Sequence, residues 1–552
     1  MSKATLIIEN ARVLTMDPDR PRAEAVAIGG AMILGVGSRE DMDAFAGPDT
    51  RRFDAQGKTV LPGFVESHLH IFPGSLGLKL LHLDKVRGVP AFCEAVQAYA
   101  AANPDAELLV CKSAGYDLFG VGTHITRHEL DKAVSDRPLV LIAPDHHTAW
   151  ANTFALEKAG LINGMDVPVG NEVVMGDDGK ASGELREFEA YKHVMALDSD
   201  GGRDNAGMTG IEPKGASAAS RAADAEILLD GLKYCASYGF TSIHNMDGNF
   251  YQLEVLKILE DRGDLLCRTE IPYHLTPSKP LSMIEEAVEM NRQYKSDRLR
   301  SGRVKMFMDG VIDSGTAFMV EPYADDGKNC EALHTAERFN AAAIEIDRNG
   351  LQIAVHAIGD AAVRRVLDGY EAAQKANGKR DSRHRIEHIE VLNPEDLHRF
   401  KELGVVASMQ PQHPPLALDF PFLPWTAKVG EARWPWSFPV QYLRDEGVPI
   451  TFASDWPVAD IDPMRGVMAA VMRKPWKEGH PSHASSLMQA LSYYTVGGAY
   501  TGFDENRLGR LAPGLLADIV VMSHDIESLA PQDLGTARAA LTLCGGEVTW
   551  EA

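Results

Sequence analysis

The chain has 552 residues, enough for two or three domains or for one large barrel with additions. Its 78 acidic and 55 basic residues give a net charge of −23, which disfavours nucleic acids and anionic membranes as partners because their phosphates would be repelled. The composition, 45% hydrophobic and 24% charged, is typical of a soluble globular protein.

Cysteine usage and the chain start indicate the compartment. Six cysteines are scattered without a C-x-x-C pair, which favours reduced thiols in the cytoplasm. The first residues lack the pattern of a signal peptide, and there is no apolar run of about 18 residues that could span a bilayer. We expect a cytoplasmic protein with a small-molecule substrate, no nucleic-acid or membrane partner, and a homodimeric assembly.

Both ends of the chain have the texture of short β-strands. Residues 3–60 alternate β-branched and polar side chains between Gly, Asp and Pro turns, and residues 509–525 and 541–552 do the same. The simplest interpretation is one β-sandwich built from both termini, with residues 1–60 as its first part and 505–552 as its second.

The middle of the chain repeats a simple unit, in which an apolar strand ends in polar residues and a helical stretch follows. Alternation of strand and helix predicts a parallel sheet, and eight such units predict a closed (β/α)8 barrel with its working residues at the carboxyl ends of the strands. We assign residues 61–86 and 231–504 to this barrel. The eight predicted strands are VLPGFVESHLH (60–70), FTSIHNMD (240–247), LLCRTEIPYHL (265–275), GRVKMFMDG (302–310), LQIAVHAIGD (351–360), HRIEHIE (384–390), GVVASMQPQH (404–413) and VPITFASDWP (448–457).

The connection between the first and second strands is far longer than one helix requires. It contains strand-like stretches of its own, and residues 197–220 are rich in Gly, Ser and Asp, which is typical of a long loop. We assign residues 87–230 to a subdomain inserted after the first strand, over the barrel mouth.

Residues that bind metals cluster at the predicted strand ends. His68 and His70 lie two apart on an extended strand, so both imidazoles point the same way. The other candidates come from strands five, six and eight, and four histidines and one aspartate suit one or two divalent cations. These three residues are His356, His388 and Asp455.

Lys305, on the fourth strand, is the unusual member of this group. Its ammonium would repel a cation and would be costly to bury. A buried lysine with a lowered pKa can instead react with carbon dioxide to form a carbamate, which is a carboxylate-like ligand. The alternative is an ordinary ion-paired lysine, for which Asp309 is a possible partner.

Taken in order, the motifs PGFVESHLH, VKMFMDG, VHAIGD, RIEHIE and SDWPV resemble those of the amidohydrolase superfamily. The branch they resemble is the amidohydrolase-3, or YtcJ-like, group, which includes N-substituted formamide deformylases. The resemblance extends to DHHTAWANTFAL in the insert and GLLADIVVM near the C-terminus, and so covers nearly the whole chain.

The resemblance implies a distorted (β/α)8 TIM barrel with a flanking β-sandwich and one or two divalent ions, with zinc the expected metal. It implies His68 and His70 as ligands of one ion, carbamylated Lys305 as a bridge, and His356 and His388 as ligands of the second. Asp455 would be both ligand and general base. If Lys305 is unmodified, one ion is expected.

This site predicts a hydrolase of a carbon–nitrogen bond in a small non-peptide amide, of N-acyl or N-formyl type. Metal-activated hydroxide would attack the carbonyl, and Asp455 would move the proton. Two alternatives stay open: the same site used for ring deamination, isomerisation or decarboxylation, or a relative without enzyme activity.

Five residues are candidate substrate contacts. Those in the insert are equally explained as packing in its core, and those after the seventh strand lie in loops that face the site of a barrel. The candidates are His147, Trp150, Asp309, His413 and Trp434.

Overall fold

The computed structural model describes residues 2–120, 122–144, 148–168, 171–198, 203, 206–418 and 420–552. Over these ranges the chain alternates strands and helices, so the predicted α/β class is confirmed. None of the helices in these ranges combines the length and hydropathy that crossing a bilayer requires.

The chain divides into two compact units. The first contains Met1–Ile71, Gly207–Lys214 and Arg221–Ala552, and the second contains Phe72–Ala206 and Gly215–Ser220. The predicted domain boundaries at residues 60, 86, 230 and 504 stay a prediction.

Two sheets of the first unit are built from the chain ends. The four-stranded sheet has the order Met32–Gly37, Ala25–Gly29, Leu6–Glu9, Arg51–Asp54. The six-stranded sheet has the order Glu547–Glu551, Ala539–Cys544, Ile519–Met522, Thr59–Pro62, Arg12–Leu14, Arg22–Ala23, so strands from both termini pair within it.

The two sheets share one hydrophobic core. Ile8 and Val26 of the four-stranded sheet belong to the same buried cluster as Val60, Ile519 and Leu543 of the six-stranded sheet. Alternation along each strand sends these side chains to one face. The shared core explains the β-branched alternation seen at both ends of the sequence.

Two further sheets of the first unit are entirely parallel. One has the order Leu299–Arg300, Arg268–Glu270, Phe240–Asn245, Phe64–Leu69. The other has the order Tyr273–His274, Arg303–Phe307, Gln352–Ala357, Arg385–His388, Val406–Met409, Ile450–Phe452.

The strand order thus gives parallel sheets of four and six strands, where the sequence predicted eight strands in one barrel. The predicted third strand is interrupted before Tyr273, where Pro272 has no N–H to donate to a ladder. The predicted fourth strand, 302–310, is observed as Arg303–Phe307, and Ser301 and Gly302 separate it from a further short strand, Leu299–Arg300. Between the first and eighth strands, the Leu69–Trp456 bridge is parallel, and Asp455 N donates to His68 O at 2.9 Å.

Helices cover the parallel strands, whose residues are buried on both faces, as in Phe64–Leu69 and Gln352–Ala357. The helix Phe250–Arg262 follows the second strand. Its N-cap is Asn249, whose side chain accepts from Gln252 N, and its C-cap is Gly263 in the left-handed conformation. The α-helices of this unit are Arg39–Asp43, Phe250–Arg262, Ile284–Gln293, Ala336–Arg348, Asp360–Asn377, Leu397–Leu403, Trp425–Val429, Val440–Glu446, Pro463–Met472, Leu487–Tyr494 and Val496–Thr501. Short 3-10 helices are Leu281–Met283, Pro394–Asp396, Glu431–Trp436 and Pro531–Thr536.

The second unit has a mixed sheet and its own cores. Its strand order is Glu172–Met175, Ala181–Arg186, Thr148–Ala151, Leu139–Ile142, Leu109–Lys112, Leu81–His82. Its helices are Val89–Ala102, Arg127–Ala133, Thr153–Lys158 and Phe188–Met195, and the remaining helices of the chain are Ile71–Gly77, Ala206–Thr209 and Ala218–Ser237.

Gly63 joins the terminal sheets to the parallel sheets. The sequence predicted one strand from Val60 to Val65, but the structure has two, because Thr59–Pro62 pairs with Ile519–Met522 and Phe64–Leu69 pairs with Phe240–Asn245. A Cβ on Gly63 would lie 2.3 Å from Thr241 Cγ2 and 2.4 Å from its Oγ1. The chain can therefore change sheets here because this residue has no side chain.

We expect Gly63→Ala to destabilise the protein by about 1–3 kcal/mol, since the added methyl group must displace Thr241 or the backbone. The measurement is the thermal unfolding midpoint followed by near-UV circular dichroism. Gly302→Ala is the matched control, because the nearest atom to its Cβ is 3.7 Å away. Equal midpoints for the two variants would contradict this account of the junction.

Candidate metal centre

Six predicted site residues lie at or near the carboxyl ends of parallel strands of the first unit. His68 is in Phe64–Leu69 and His70 follows it, while Asp455 comes shortly after Ile450–Phe452. Lys305, His356 and His388 belong to three adjacent strands of the six-stranded parallel sheet. All six side chains are buried, although each carries a group that water solvates well.

The structure brings the charged and imidazole groups together around Asp455. Its Oδ1 lies 3.3 Å from Nε2 of His68 and 3.3 Å from Nε2 of His70, and its Oδ2 lies 3.9 Å from Nδ1 of His388. His68, His388 and Asp455 each offer a ligand atom within 4.8 Å of the others. Residues nearly four hundred positions apart thus share one buried cluster.

These separations fit a divalent cation. Bonds of about 2.0–2.1 Å to nitrogen and oxygen place two ligands of a tetrahedral zinc site about 3.3–3.4 Å apart. Asp455 Oδ1 is at this distance from both Nε2 atoms, and it accepts no hydrogen bond from the described residues. A buried carboxylate oxygen in this state is costly unless a cation satisfies it.

The fourth imidazole, that of His356, lies on the other side of His388. The ring centroids of His356 and His388 are 4.5 Å apart, and those of His68 and His388 are 4.9 Å apart. The four rings therefore line one continuous cluster, with His68 and His70 at one side of it and His356 and His388 at the other.

In each ring one nitrogen contacts a neighbouring acceptor, which leaves the other nitrogen available to a metal. His68 Nδ1 is 2.7 Å from Glu387 Oε2, and His70 Nδ1 is 2.8 Å from Asp247 Oδ1. Such contacts fix the orientation and tautomer of a metal-binding histidine.

The other two rings have acceptors without charge. His388 Nδ1 is 2.9 Å from Gln410 Oε1, and His356 Nε2 is 3.0 Å from Gly310 O. The nitrogens left available are thus Nε2 on His388 and Nδ1 on His356.

Two of the candidate ligands occupy an unusual backbone conformation. The φ angles of His388 and Asp455 are 75° and 63°, in the left-handed region that side chains other than glycine rarely adopt. Strain of this kind is concentrated at functional sites, where surrounding structure holds it in place.

Lys305 is fully buried, and its Nζ has no hydrogen-bond partner among the described residues. Burial lowers its pKa to about 8, and the Phe307 ring lies 4.6 Å from Nζ. The suggested ion pair with Asp309 is not observed. The state of this amine, isolated and partly deprotonated near neutral pH, fits reaction with carbon dioxide.

The charges around the cluster depend on burial and on these contacts. Burial would raise the pKa of Asp455, but His68, His70 and His388 hold it well below its ordinary value. Burial disfavours the charged ring of His70, yet the neighbouring carboxylates of Asp247 and Asp455 raise its pKa to about 9. Burial lowers the pKa of His356 to about 3, which leaves this ring neutral and able to bind a metal.

Several supporting residues were missed by the sequence analysis although they lie inside the quoted motifs. Asp247 ends FTSIHNMD, Glu387 lies within RIEHIE, and Gln410 lies within GVVASMQPQH. Their position at strand ends was a signal, but which imidazole each would contact depends on the three-dimensional arrangement.

Glu66 was also missed, and it connects the first and eighth strands. Its Oε1 accepts from His68 N at 3.1 Å and from Ser454 N at 3.0 Å. Burial raises its pKa to about 8. Since Ser454 precedes Asp455, this side chain fixes two candidate ligands relative to each other.

Glu387 also forms a buried ion pair. Arg385 Nη2 donates to Glu387 Oε2 at 2.9 Å, to Ser67 O at 2.8 Å and to Ser408 Oγ at 2.7 Å. Both members of the pair have no exposed side-chain area. The pair thus connects strands one, six and seven beneath the imidazoles.

Two of the predicted substrate contacts lie near the cluster. Asp309 Oδ2 accepts from Phe318 N and Gly359 N, both at 2.9 Å, and its Oδ1 lies 3.8 Å from His356 Nε2. The ring of His413 is parallel to that of His388 at 6.2 Å. Asp309 thus organises backbone, while His413 Nε2 has no hydrogen-bond partner among the described residues.

The remaining three predicted contacts are not brought to the cluster by any contact described. Trp434 packs against Phe422 and Trp476, and its Nε1 donates to Thr426 O at 3.1 Å. Trp150 is buried in the core of the second unit. His147 lies outside the described residues.

With this geometry established, known proteins give a consistent comparison. A family model described as "Amidohydrolase family" matches residues 51–550. The chain belongs to the amidohydrolase family. The resemblance found in the sequence is thus confirmed, and so is the prediction of an enzyme of the amidohydrolase type.

Three relatives match almost the whole chain of this amidohydrolase. Protein LONG AFTER FAR-RED 3 of Arabidopsis thaliana is 30% identical over 99% of this chain and 91% of its own length. Putative amidohydrolase YtcJ of Bacillus subtilis is 26% identical, covering 98% of each. N-substituted formamide deformylase of Arthrobacter pascens is 25% identical over 99% of this chain and 98% of its own length.

A solved structure agrees with the fold of the amidohydrolase. An uncharacterized metal-dependent hydrolase from Pyrococcus furiosus has a TM-score of 0.72 and 25% sequence identity to it, over 96% of this chain and 99% of that one.

We expect Glu387→Gln to reduce the free energy of unfolding by about 3–5 kcal/mol, because it leaves the buried charge of Arg385 without its carboxylate. The measurement is the thermal unfolding midpoint, which should fall. Glu395→Gln is the matched control, since Glu395 pairs with Arg364 at the surface and is 81% exposed. It should change the midpoint little. Shifts of similar size in the two variants would show that the buried pair has no special role.

Proposed function

We propose that this amidohydrolase cleaves a carbon–nitrogen bond in a small non-peptide amide, of N-acyl or N-formyl type. The reaction consumes one water molecule and yields a carboxylic acid and an amine. Asp455 is the general base, and His68, His70, Lys305, His356, His388 and Asp455 hold one or two divalent ions.

One observation carries this proposal. A buried carboxylate oxygen, Asp455 Oδ1, lies 3.3 Å from the available nitrogens of both His68 and His70 and accepts no hydrogen bond within the described residues. A catalytic metal site with an aspartate as both ligand and proton acceptor accounts for it.

The scaffold we propose is a closed (β/α)8 barrel. One parallel sheet contains Arg268–Glu270 and Leu299–Arg300, and the other contains Tyr273–His274 and Arg303–Phe307. The chain therefore passes from the first of these sheets to the second after Arg268–Glu270 and again after Leu299–Arg300. The Leu69–Trp456 bridge lies between the first strand and the segment after the eighth. Closure between the two sheets and at this bridge would bring the carboxyl ends of all eight strands to one rim.

Nitrogen and carboxylate ligands suit zinc, which we propose as the metal. A divalent cation bound here supplies Lewis acidity, since it polarises the substrate carbonyl and lowers the pKa of water to about 7. His68 and His70 would hold it through Nε2, and Asp455 through a carboxylate oxygen.

Asp455 moves the proton. Its carboxylate takes a proton from the attacking water as the carbon–oxygen bond forms, and it delivers that proton to the nitrogen as the carbon–nitrogen bond breaks. The backbone contacts of Asp455 N with His68 O and of Glu66 with Ser454 N keep this carboxylate in place during both transfers.

An amide with an apolar substituent is the substrate class we propose. The name of the Arthrobacter relative, N-substituted formamide deformylase, supports the bond type. The His413 ring, parallel to that of His388, has the Phe420 ring 5.2 Å away, which provides aromatic surface next to the candidate metal ligands. We keep His413 as a proposed substrate contact, and His147, Trp150, Asp309 and Trp434 stay predictions.

We further propose that Lys305 is carbamylated. The neutral amine attacks carbon dioxide, a nitrogen–carbon bond forms, and one proton is released to solvent. The product is a carboxylate-like group that would serve as an anionic ligand for divalent cations, in place of a buried ammonium that would repel them. The homodimer and the cytoplasmic location stay predictions from sequence.

We expect removal of metal by a chelator to abolish hydrolysis of N-acyl and N-formyl amides, and added zinc to restore it, because the attacking water is then activated again. Asp455→Asn should lower kcat by about 10²–10⁴-fold, since it removes the proton acceptor. Amine and carboxylate release are measured together with metal content.

Asp460→Asn is the control, because this residue lies in the same loop and pairs with Arg465. It should keep the kcat of the unmodified enzyme. Turnover that survives complete metal removal would overturn the proposal, and release of ammonia without a carboxylate would indicate ring deamination instead.

For the lysine, we expect incubation with ¹³C-bicarbonate to give a carbamate resonance in the carbon NMR spectrum of the protein. Lys305→Arg should lack this resonance, because the guanidinium stays charged. Lys279→Arg should retain it, since Lys279 Nζ already donates to Tyr273 Oη at 2.9 Å. A resonance that persists in Lys305→Arg would assign the carbamate elsewhere and contradict this proposal.

A further inference from the structure

The acceptors behind the four imidazoles divide into two kinds. His68 and His70 each have a carboxylate behind them, at 2.7 Å from Glu387 and 2.8 Å from Asp247. His388 and His356 have a side-chain amide and a backbone carbonyl, at 2.9 Å and 3.0 Å. The division follows the two sides of the cluster, so each side has acceptors of one kind.

The kind of acceptor affects how strongly an imidazole binds a metal. A carboxylate makes the ring a better electron donor and fixes its orientation, and loss of such a partner costs about 10–100-fold in metal affinity. A neutral amide or carbonyl orients the ring but adds no charge. Asp455 strengthens the same side, because its Oδ1 lies next to both carboxylate-backed rings.

We infer that the two halves of the site bind divalent cations with unequal affinity, with the half made by His68, His70 and Asp455 filled first. The half made by His356 and His388 binds more weakly. This inference rests on the proposed metal site and adds to it an order of loading and the residues that set the order.

Asp247 is the residue that contributes most to this difference. The charge of Glu387 is already compensated by Arg385, which donates to it. Asp247 is fully buried and accepts from the uncharged side chain of Gln252 at 2.8 Å and from the ring of His70. Its carboxyl group is therefore directed at His70, and we assign Asp247 as a positioning residue for the first cation.

Gln410 offers the reverse test. Its Oε1 faces His388 Nδ1, and its Nε2 has no hydrogen-bond partner among the described residues. Gln410→Glu keeps the shape and places a carboxylate behind His388. The weaker half would then resemble the stronger one.

The experiment titrates zinc into the metal-depleted full-length protein in competition with a chromophoric chelator, and bound metal is counted by mass spectrometry. The unmodified protein should bind in two steps of different affinity. Asp247→Asn should weaken the first step by about 10–100-fold and leave the second, while Gln410→Glu should strengthen the second.

Asp347→Asn is the matched control. Asp347 is likewise a buried carboxylate beside a histidine ring, at 3.1 Å from His384 Nε2, but His384 is not a candidate ligand. This variant should leave both steps unchanged. If Asp247→Asn does not fold, Gln410→Glu tests the inference without it.

The outcomes distinguish a failure of this inference from a failure of the proposed function. Two steps of equal affinity in the unmodified protein, or an unchanged first step in folded Asp247→Asn, would overturn the inference while the proposed hydrolase stands. No zinc binding by the unmodified protein would overturn the proposed function itself.

Discussion

The carboxylate of Asp455 is buried against imidazole rings, and the rest of the site offsets the free-energy cost of burying this anion. An anion without water around it costs several kcal/mol unless cations or donors surround it. Here the neighbours are Nε2 of His68 and Nε2 of His70, both 3.3 Å from Oδ1. The backbone of Asp455 itself is held in the left-handed region. A metal cation would satisfy the same carboxylate and would also use the lone pairs of both rings.

The scaffold holds that carboxylate by connecting strands that are distant in sequence. Glu66 accepts from backbone N–H groups of strand one and of the segment after strand eight, and the Arg385–Glu387 pair contacts strands one, six and seven. Buried polar pairs of this kind are often neutral for stability, but they specify position. Their location beneath the imidazoles suggests that position is what they contribute here.

The α/β class and the clustering of several candidate ligands could be predicted from the sequence. The His68 and His70 spacing fixes two imidazoles on one side of a strand, and apolar runs ending in His or Asp identify the other strands. The break at Gly63 was missed because periodicity does not distinguish one long strand from two that belong to different sheets. The roles of Asp247, Glu387 and Gln410 could not be predicted, because each depends on a partner from another strand.

The charge state of Lys305 connects these observations. As an ammonium it places a positive charge in the same buried region as Arg385 and the side chains of Asp455, Asp247 and Glu387. A positive group here disfavours the binding of a second divalent cation, because like charges repel. As a carbamate, the lysine changes from a positive to a negative group, and the balance then favours two cations. Since the rings of His356 and His388 have neutral acceptors, their half would gain an anionic ligand from this proposed modification. The proposed carbamate and the proposed order of metal loading therefore depend on the same charge balance.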